Sequence, residues 1–410
     1  MYTEDTIVDV QSFIRRREGD QLIIGRPETG SFFAVSPEAV DVLDCLAQGR
    51  TVGEAAAQAQ SEVSDLDEFL CSLESAGLVK PHGLNWGPAK HPEKKTPPLV
   101  RYHFTAISQR VARRIFSPVV LVACLLLIAA AFGALIYDPS LWPRALDLYF
   151  TGQKTLMLSI LLVVSYISVV LHEISHVIAA RSQGVSSRLG VGHRLWAFVI
   201  EADLTGLWSV PKQQRYLPLM AGSLFDATIS ASLVLLLFAN KLALVSMSPT
   251  IIHLVRAISL TYMTRILWQT LLFVRTDYYY MIATFFDCRN LMSDTEDFFR
   301  NQLARVIHWI RPIDQSRIPA SERRIIPMYA FVWLLGRVIA FTYLFEITIP
   351  LVSRYTANTI HAVHTGYSAN PSNFIDSILM SFIFGLPFAI GMAMWLVSIA
   401  RGIFKLETSY

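Results

Sequence analysis

Two histidines four residues apart, His172 and His176 in LHEISH (Leu171–His176), close an otherwise apolar run, LMLSILLVVSYISVVL (Leu156–Leu171). On a helix, positions i and i+4 share a face, so the two imidazoles point the same way and can hold one zinc ion. Glu173 lies next to that face, where a carboxylate can act as general base toward water. A His-Glu-x-x-His string is common by chance in soluble helices, where these residues cost little. At the end of a membrane-length helix, three ionisable groups are costly, and such groups are usually functional.

A catalytic zinc takes three protein ligands and keeps one position open. Asp277 in LLFVRTDYYY is the leading candidate for the third. It follows the fourth apolar segment, at the end that returns to the depth of the HEISH helix. Asp287 in FFDCRN competes, roughly three turns further along if that stretch is helical. Asp203 and Asp226 are weaker as ligands. Asp226 lies early in the third apolar segment (AGSLFDATIS), and an intramembrane carboxylate should face the interior, orienting a ligand or the substrate. His193 is expected at a polar surface, and His361 and His364 in a loop on the opposite side. Arg256, Arg265 and Arg337 lie in or near apolar segments and are expected to snorkel or to pair with carboxylates.

These residues need a membrane frame, and the composition supplies one. Of 410 residues, 53% are hydrophobic and 16% charged, with a mean hydropathy of +0.42. A soluble domain carries roughly 25% charged residues. A polytopic α-helical membrane protein with a modest soluble part is therefore expected. The net charge of +3 gives no sign of nucleic-acid binding. The first residues lack a basic stretch followed by an apolar core, so no signal peptide is expected. The cysteines (Cys45, Cys71, Cys124 and Cys288) form no metal-binding or disulfide pattern.

About six apolar segments approach the ~20 residues that a bilayer requires: near 117–137, 155–180, 217–239, 251–274, 326–351 and 374–400. Arginine and lysine cluster before the first and after the second, fourth and sixth, which places both termini and the HEISH end in the cytoplasm. Between the second and third, GVGHRLWAFVIEADLTGLWSV alternates like a strand or re-entrant hairpin. Such backbone survives in lipid only when paired or lining a cavity. Ser293–Arg311 reads as an amphipathic surface helix.

Residues 1–82 read as a small α+β module of winged-helix-like make-up. VQSFIRRR, DQLIIGR and GSFFAVS alternate like strands, with turns at Glu18-Gly19-Asp20 and Glu28-Thr29-Gly30. Pro37 opens a helix that Gly49 closes. Thr51 and Glu54 form a capping box for the next. Ser64 is expected to cap a third, ended by Gly77. Residues 83–100, with Pro88, Pro92, Pro97 and Pro98, read as a flexible linker, and 101–410 as the membrane domain.

The membrane part resembles the site-2 protease family of zinc intramembrane metalloproteases, in particular its bacterial peptide zinc metalloprotease branch. HEISHVIAARSQGV resembles the family's HExxHxxxA segment followed by a glycine. RYLPLMAGSLFDATIS resembles the next span, with Ser223 and Asp226 where the family has Gly-Pro and Asn. LLFVRTDYYYMIATFFDCRNL resembles its Asn-Pro…Asp-Gly-Tyr-Tyr segment, with Tyr278 in place of the glycine and no Asn-Pro pair. The resemblance implies His172, His176 and Asp277 as zinc ligands and Glu173 as general base. It implies a multi-pass protein of the inner (cytoplasmic) membrane. GSFFAVSPEAVDVLDCLAQGRTVGEAAAQ resembles PqqD-like domains of modified-peptide pathways, which implies capture of a precursor peptide by strand addition at a sheet edge. Tethered capture would raise the peptide's local concentration at the zinc. The alternative is a non-proteolytic membrane component that binds such a peptide for export or immunity.

Overall fold

The computed structural model describes residues 2–18, 21–26, 31–59, 63–83, 101–103, 107–148, 154–194, 197–288, 290–316, 318–368 and 371–407. Both expected turns fall wholly or partly outside them, as does most of the expected linker. The chain divides into two compact units. One comprises Met1–Ala112, Ala180–Gly190 and Ala202–Arg215; the other comprises Arg113–Ala179, Val191–Glu201 and Tyr216–Tyr410.

In the first unit, β1 (Val8–Val10) pairs antiparallel with β5 (Val79–Pro81). Strands β2 (Ile14–Glu18), β3 (Gln21–Arg26) and β4 (Ser31–Val35) form an antiparallel sheet in that order, matching the three expected runs. The β1–β5 pair was not expected, because three-residue strands are too short to show alternation. Helix α1 (Pro37–Ala47) starts at Ser36, whose hydroxyl accepts from the Ala39 amide. Helix α2 (Val52–Ala59) starts at the expected capping box: Thr51 N–H donates to the Glu54 carboxylate (3.2 Å), and Glu54 N–H to the Thr51 hydroxyl (3.3 Å). Helix α3 is Val63–Ser75, so Ser64 lies inside the helix and is not its cap. Gly77, at φ +71°, follows it. Val8, Ile24, Leu43, Leu46, Leu70 and Leu73 are fully buried in a shared core.

Two later segments, Ala180–Gly190 and Ala202–Arg215, belong to this unit as well. Strand β6 (Arg101–His103) pairs antiparallel with β7 (Arg188–Arg194), in a sheet that β8 (Ala197–Asp203) extends. The alternating stretch after the HEISH helix therefore does form strands, and β6 is their unexpected partner. Arg215, only 2% exposed, donates from Nε to the carbonyls of Leu207 and Val210 (3.1 and 3.0 Å) and from Nη2 to Glu18 of β2 (2.8 Å). Its guanidinium lies 4.5 Å from the Trp208 ring centroid.

The rest is helical: α4 (Gln109–Ile115), α5 (Pro118–Tyr137), α6 (Lys154–Ser182), α7 (Lys212–Lys241), α8 (Pro249–Trp268), α9 (Asp277–Phe285), α10 (Leu291–Ala304), α11 (Ala320–Tyr343), α12 (Ile349–Thr365) and α13 (Pro371–Glu407). Among the described residues, four helical stretches are long and apolar enough to cross a membrane: Gln109–Tyr137, Ser159–Ser182, Lys212–Lys241 and Glu322–Glu346. The segments expected near 251–274 and 374–400 correspond to α8 and α13. Helix α5 exposes Val119, Leu126 and Ile136, as a helix facing lipid would. The expected loop holding His361 and His364 is instead the end of α12, which packs against α13. Polar residues such as Arg354 and Asn358 end an apolar run there without ending the helix. Among the described residues, the amphipathic stretch expected from Ser293 is helical only as far as Ala304.

Removing Glu18 would leave the buried Arg215 charge with carbonyls, an indole and the like charge of Arg16, which Glu18 also approaches. Glu18→Ala should therefore destabilise the protein by about 3 kcal/mol, the lower end for breaking a buried ion pair, seen as an earlier thermal transition in detergent. A loss under ~1 kcal/mol would show the pair to be of the weak, surface kind.

Candidate metal centre

Helix α6 presents His172 and His176 one turn apart, as their spacing requires. Their Nε2 atoms are 3.2 Å from each other. Asp277 Oδ2 lies 3.3 Å from the first and 3.2 Å from the second. Both histidines are buried, at 3% and 1% exposure. These three groups could hold a metal ion.

What stands behind each ring decides its tautomer. His172 Nδ1 is 2.8 Å from Asp226 Oδ2, and His176 Nδ1 is 2.7 Å from the Pro218 carbonyl oxygen. A carbonyl can only accept, and so can an ionised carboxylate, so each Nδ1 is the donor. A neutral ring then turns a bare Nε2 inward. Three lone-pair-bearing atoms thus converge at about 3 Å with no proton between them, an arrangement that a cation stabilises.

The space for that cation is opened by a glycine. A Cβ at Gly222 of α7 would lie 2.4 Å from the Nε2 of both histidines. No side chain larger than hydrogen fits there without filling the point where the lone pairs meet. Small residues let helix backbones approach closely, and Ala221-Gly222-Ser223 sits where α7 passes the histidine face. Pro218, inside the same helix, supplies the carbonyl behind His176.

Asp277 is the first residue of α9, and a set of short bonds places it. Its N–H donates to Gln269 Oε1 (3.1 Å), and the Thr276 hydroxyl donates to the Gln269 carbonyl (2.7 Å). The Tyr329 hydroxyl of α11 donates to the Leu272 carbonyl (2.9 Å). Gly336 lets Phe273 lie against α11, since a Cβ there would come within 2.3 Å of the ring. Burial alone would raise the Asp277 carboxyl; positive charge at His176 and His172 outweighs it and holds the group well below the usual carboxylate range, and with neutral rings a cation among the three donors would supply that charge.

Glu173 is half-buried on α6, within electrostatic reach of both imidazoles. Asp226 is fully buried and stands behind His172, outside the group of three. Asp287, the competing third ligand, lies just beyond α9 at φ +56° and is not part of the group. Asp203 accepts from Thr205 in the turn after β8 and is not part of it either. The His193 side chain lies outside the described residues. The sequence had not pointed to Pro218, Gly222 or Gln269. A proline and a small-residue triplet within one apolar segment were the available signals for the first two. Comparison with family models, curated proteins and solved structures finds no match to this chain.

Gly222→Ala removes no ligand but fills the space between them. It should weaken metal binding by more than the roughly 100-fold that altered outer partners cost, with helix content unchanged. Competition against a chelator, alongside circular dichroism, measures both, and unchanged affinity would rule out metal binding at this point.

Proposed function

We propose that the protein is a zinc-dependent intramembrane endopeptidase that cleaves a peptide or membrane-associated precursor, in the maturation of a ribosomally made, modified peptide. The observation that carries this is the convergence of His172, His176 and Asp277 on the space over Gly222, beside Glu173, in a helix of membrane-spanning length. Tetrahedral zinc with bonds near 2.0–2.1 Å separates its ligands by about 3.3 Å; the three donor atoms are 3.2–3.3 Å apart.

A zinc held there supplies Lewis acidity that polarises the scissile carbonyl and makes water a nucleophile near neutral pH. Glu173 takes a proton from the attacking water as the C–O bond forms, and then passes it to the amide nitrogen as the C–N bond breaks. Asp226 and the Pro218 carbonyl keep the two imidazoles turned toward the ion. Asp277, as a carboxylate, would supply the third donor.

The charge distribution supports both termini in the cytoplasm, on the side of the HEISH end; six spans in an inner membrane belong to the same proposal. The small α+β module would take a leader peptide as an added strand on β2 or β4, the edges of its sheet. Tyr278 stands where the resembled family has glycine, and it favours a second reading: a non-proteolytic peptide-binding component for export or immunity.

Zinc per chain in detergent-purified protein, beside Asp277→Ala, tests the centre. Near one zinc per chain is expected, lost or weakened in the variant. Glu173→Gln should keep the zinc and lower cleavage of a precursor peptide by about 10²–10⁴-fold. Retained cleavage would refute its role. Peptide binding that ignores metal, with no cleavage, would favour the second reading.

A further inference from the structure

Behind His172 lies a charged residue that neither the ligand set nor the proton transfer uses. Arg265, near the end of α8, has a largely buried side chain, 14% exposed. Its Nη2 donates to the Ser168 hydroxyl at 2.7 Å. Its Nε lies 3.1 Å from Asp226 Oδ2, an ionic contact rather than a directed hydrogen bond. The face of the Tyr262 ring lies 4.8 Å from its guanidinium carbon. The oxygen that Arg265 approaches is the one that accepts from His172 Nδ1. Ser168 sits one turn before His172 on α6 and donates its own proton to the Ser165 carbonyl. One guanidinium therefore joins α6, α7 and α8 at the level of a candidate ligand.

Stability alone does not account for this group. A buried ion pair is often neutral or worse against apolar residues of the same size, and an apolar bundle offers many. Asp226 is 0% exposed, so its charge needs a counter-charge if it is to serve the ring beside it. Arg337 on α11 is also partly buried; its guanidinium lies over the Trp333 ring at 4.1 Å and within electrostatic reach of Glu296. Arg265 likewise combines an aromatic face, Tyr262, with a carboxylate, Asp226, but here the carboxylate is the one that holds a candidate ligand.

We infer that Arg265 is a positioning residue of the metal centre, which fixes the Asp226 carboxylate so that it holds the His172 ring with Nε2 toward the ion. This rests on metal binding by His172, His176 and Asp277, and not on proteolysis. Partners in that outer position typically change metal affinity by about 10–100-fold.

The test uses the full chain in detergent, with zinc affinity read by chelator competition and ligand geometry by the visible absorption of the cobalt form. Arg265→Met should weaken zinc binding about 10–100-fold and alter the cobalt spectrum, and Arg265→Lys should restore part of both. In an Asp226→Asn background, Arg265→Met should have little further effect, because the arginine acts through that carboxylate. Unchanged affinity and spectrum in Arg265→Met, or full additivity with Asp226→Asn, would overturn the inference. If Arg265→Met does not fold, Ser168→Ala together with Arg265→Lys takes its place. Zinc bound with this dependence but no precursor cleaved would leave the inference standing and remove the protease; cleavage with no dependence on Arg265 would do the reverse.

Discussion

Everything at this centre depends on where two imidazole protons sit. The Asp226 carboxylate and the Pro218 carbonyl each accept from an Nδ1, and both acceptors belong to α7. A histidine free to choose its tautomer would present a donor inward part of the time, and the convergence with Asp277 would be lost. The arrangement is inexpensive in covalent terms, needing one proline carbonyl and one buried acid. It is demanding in position, since α6 and α7 must keep their register along their full contact.

Helix α7 is accordingly the frame of the centre. It contributes the acceptor for each ring, and at Gly222 a backbone surface that approaches both Nε2 atoms. Its positions 218, 222 and 226 recur every fourth residue and so face the same neighbour. Asp277 arrives from a different element, by a route with more parts: a left-handed residue at Arg275, the Gln269 side chain, and the packing of Phe273 on Gly336. A pair set by helix geometry and a third group set by loop geometry are combined in one cluster.

The histidine pair was legible because helical spacing is a local property. Asp277 was legible as a candidate from its place after an apolar segment, but so was Asp287. Ten residues of sequence do not tell which acid a loop returns to the first helix; the Gln269 and Tyr329 bonds do. Asp226 could be assigned an inward face from its cost in lipid, whereas its partner could not. Gly222 was hidden for a different reason: what it contributes is the lack of a side chain, and its value appears only beside the rings it makes room for. In the small α+β module, the three longer strands and the capping box could be read from alternation and spacing. Strands β1, β5 and β6 could not, since three residues carry almost no pattern. Helix α12 was mistaken for a loop because hydropathy reports burial in lipid and says little about helicity.

The close approach of Gly222 also bears on which ions the centre can discriminate. Backbone closes one side of the space, and two nitrogens with one carboxylate oxygen occupy three directions. Calcium needs six to eight oxygen ligands, and magnesium a near-ideal octahedron rich in water. Neither can complete its shell against a helix backbone. Ions content with four ligands, at least two of them imidazole, can. At a centre of this shape the lack of a side chain that leaves room for a cation would also count against the alkaline-earth ions, so that any selectivity would come from crowding as well as from donor type.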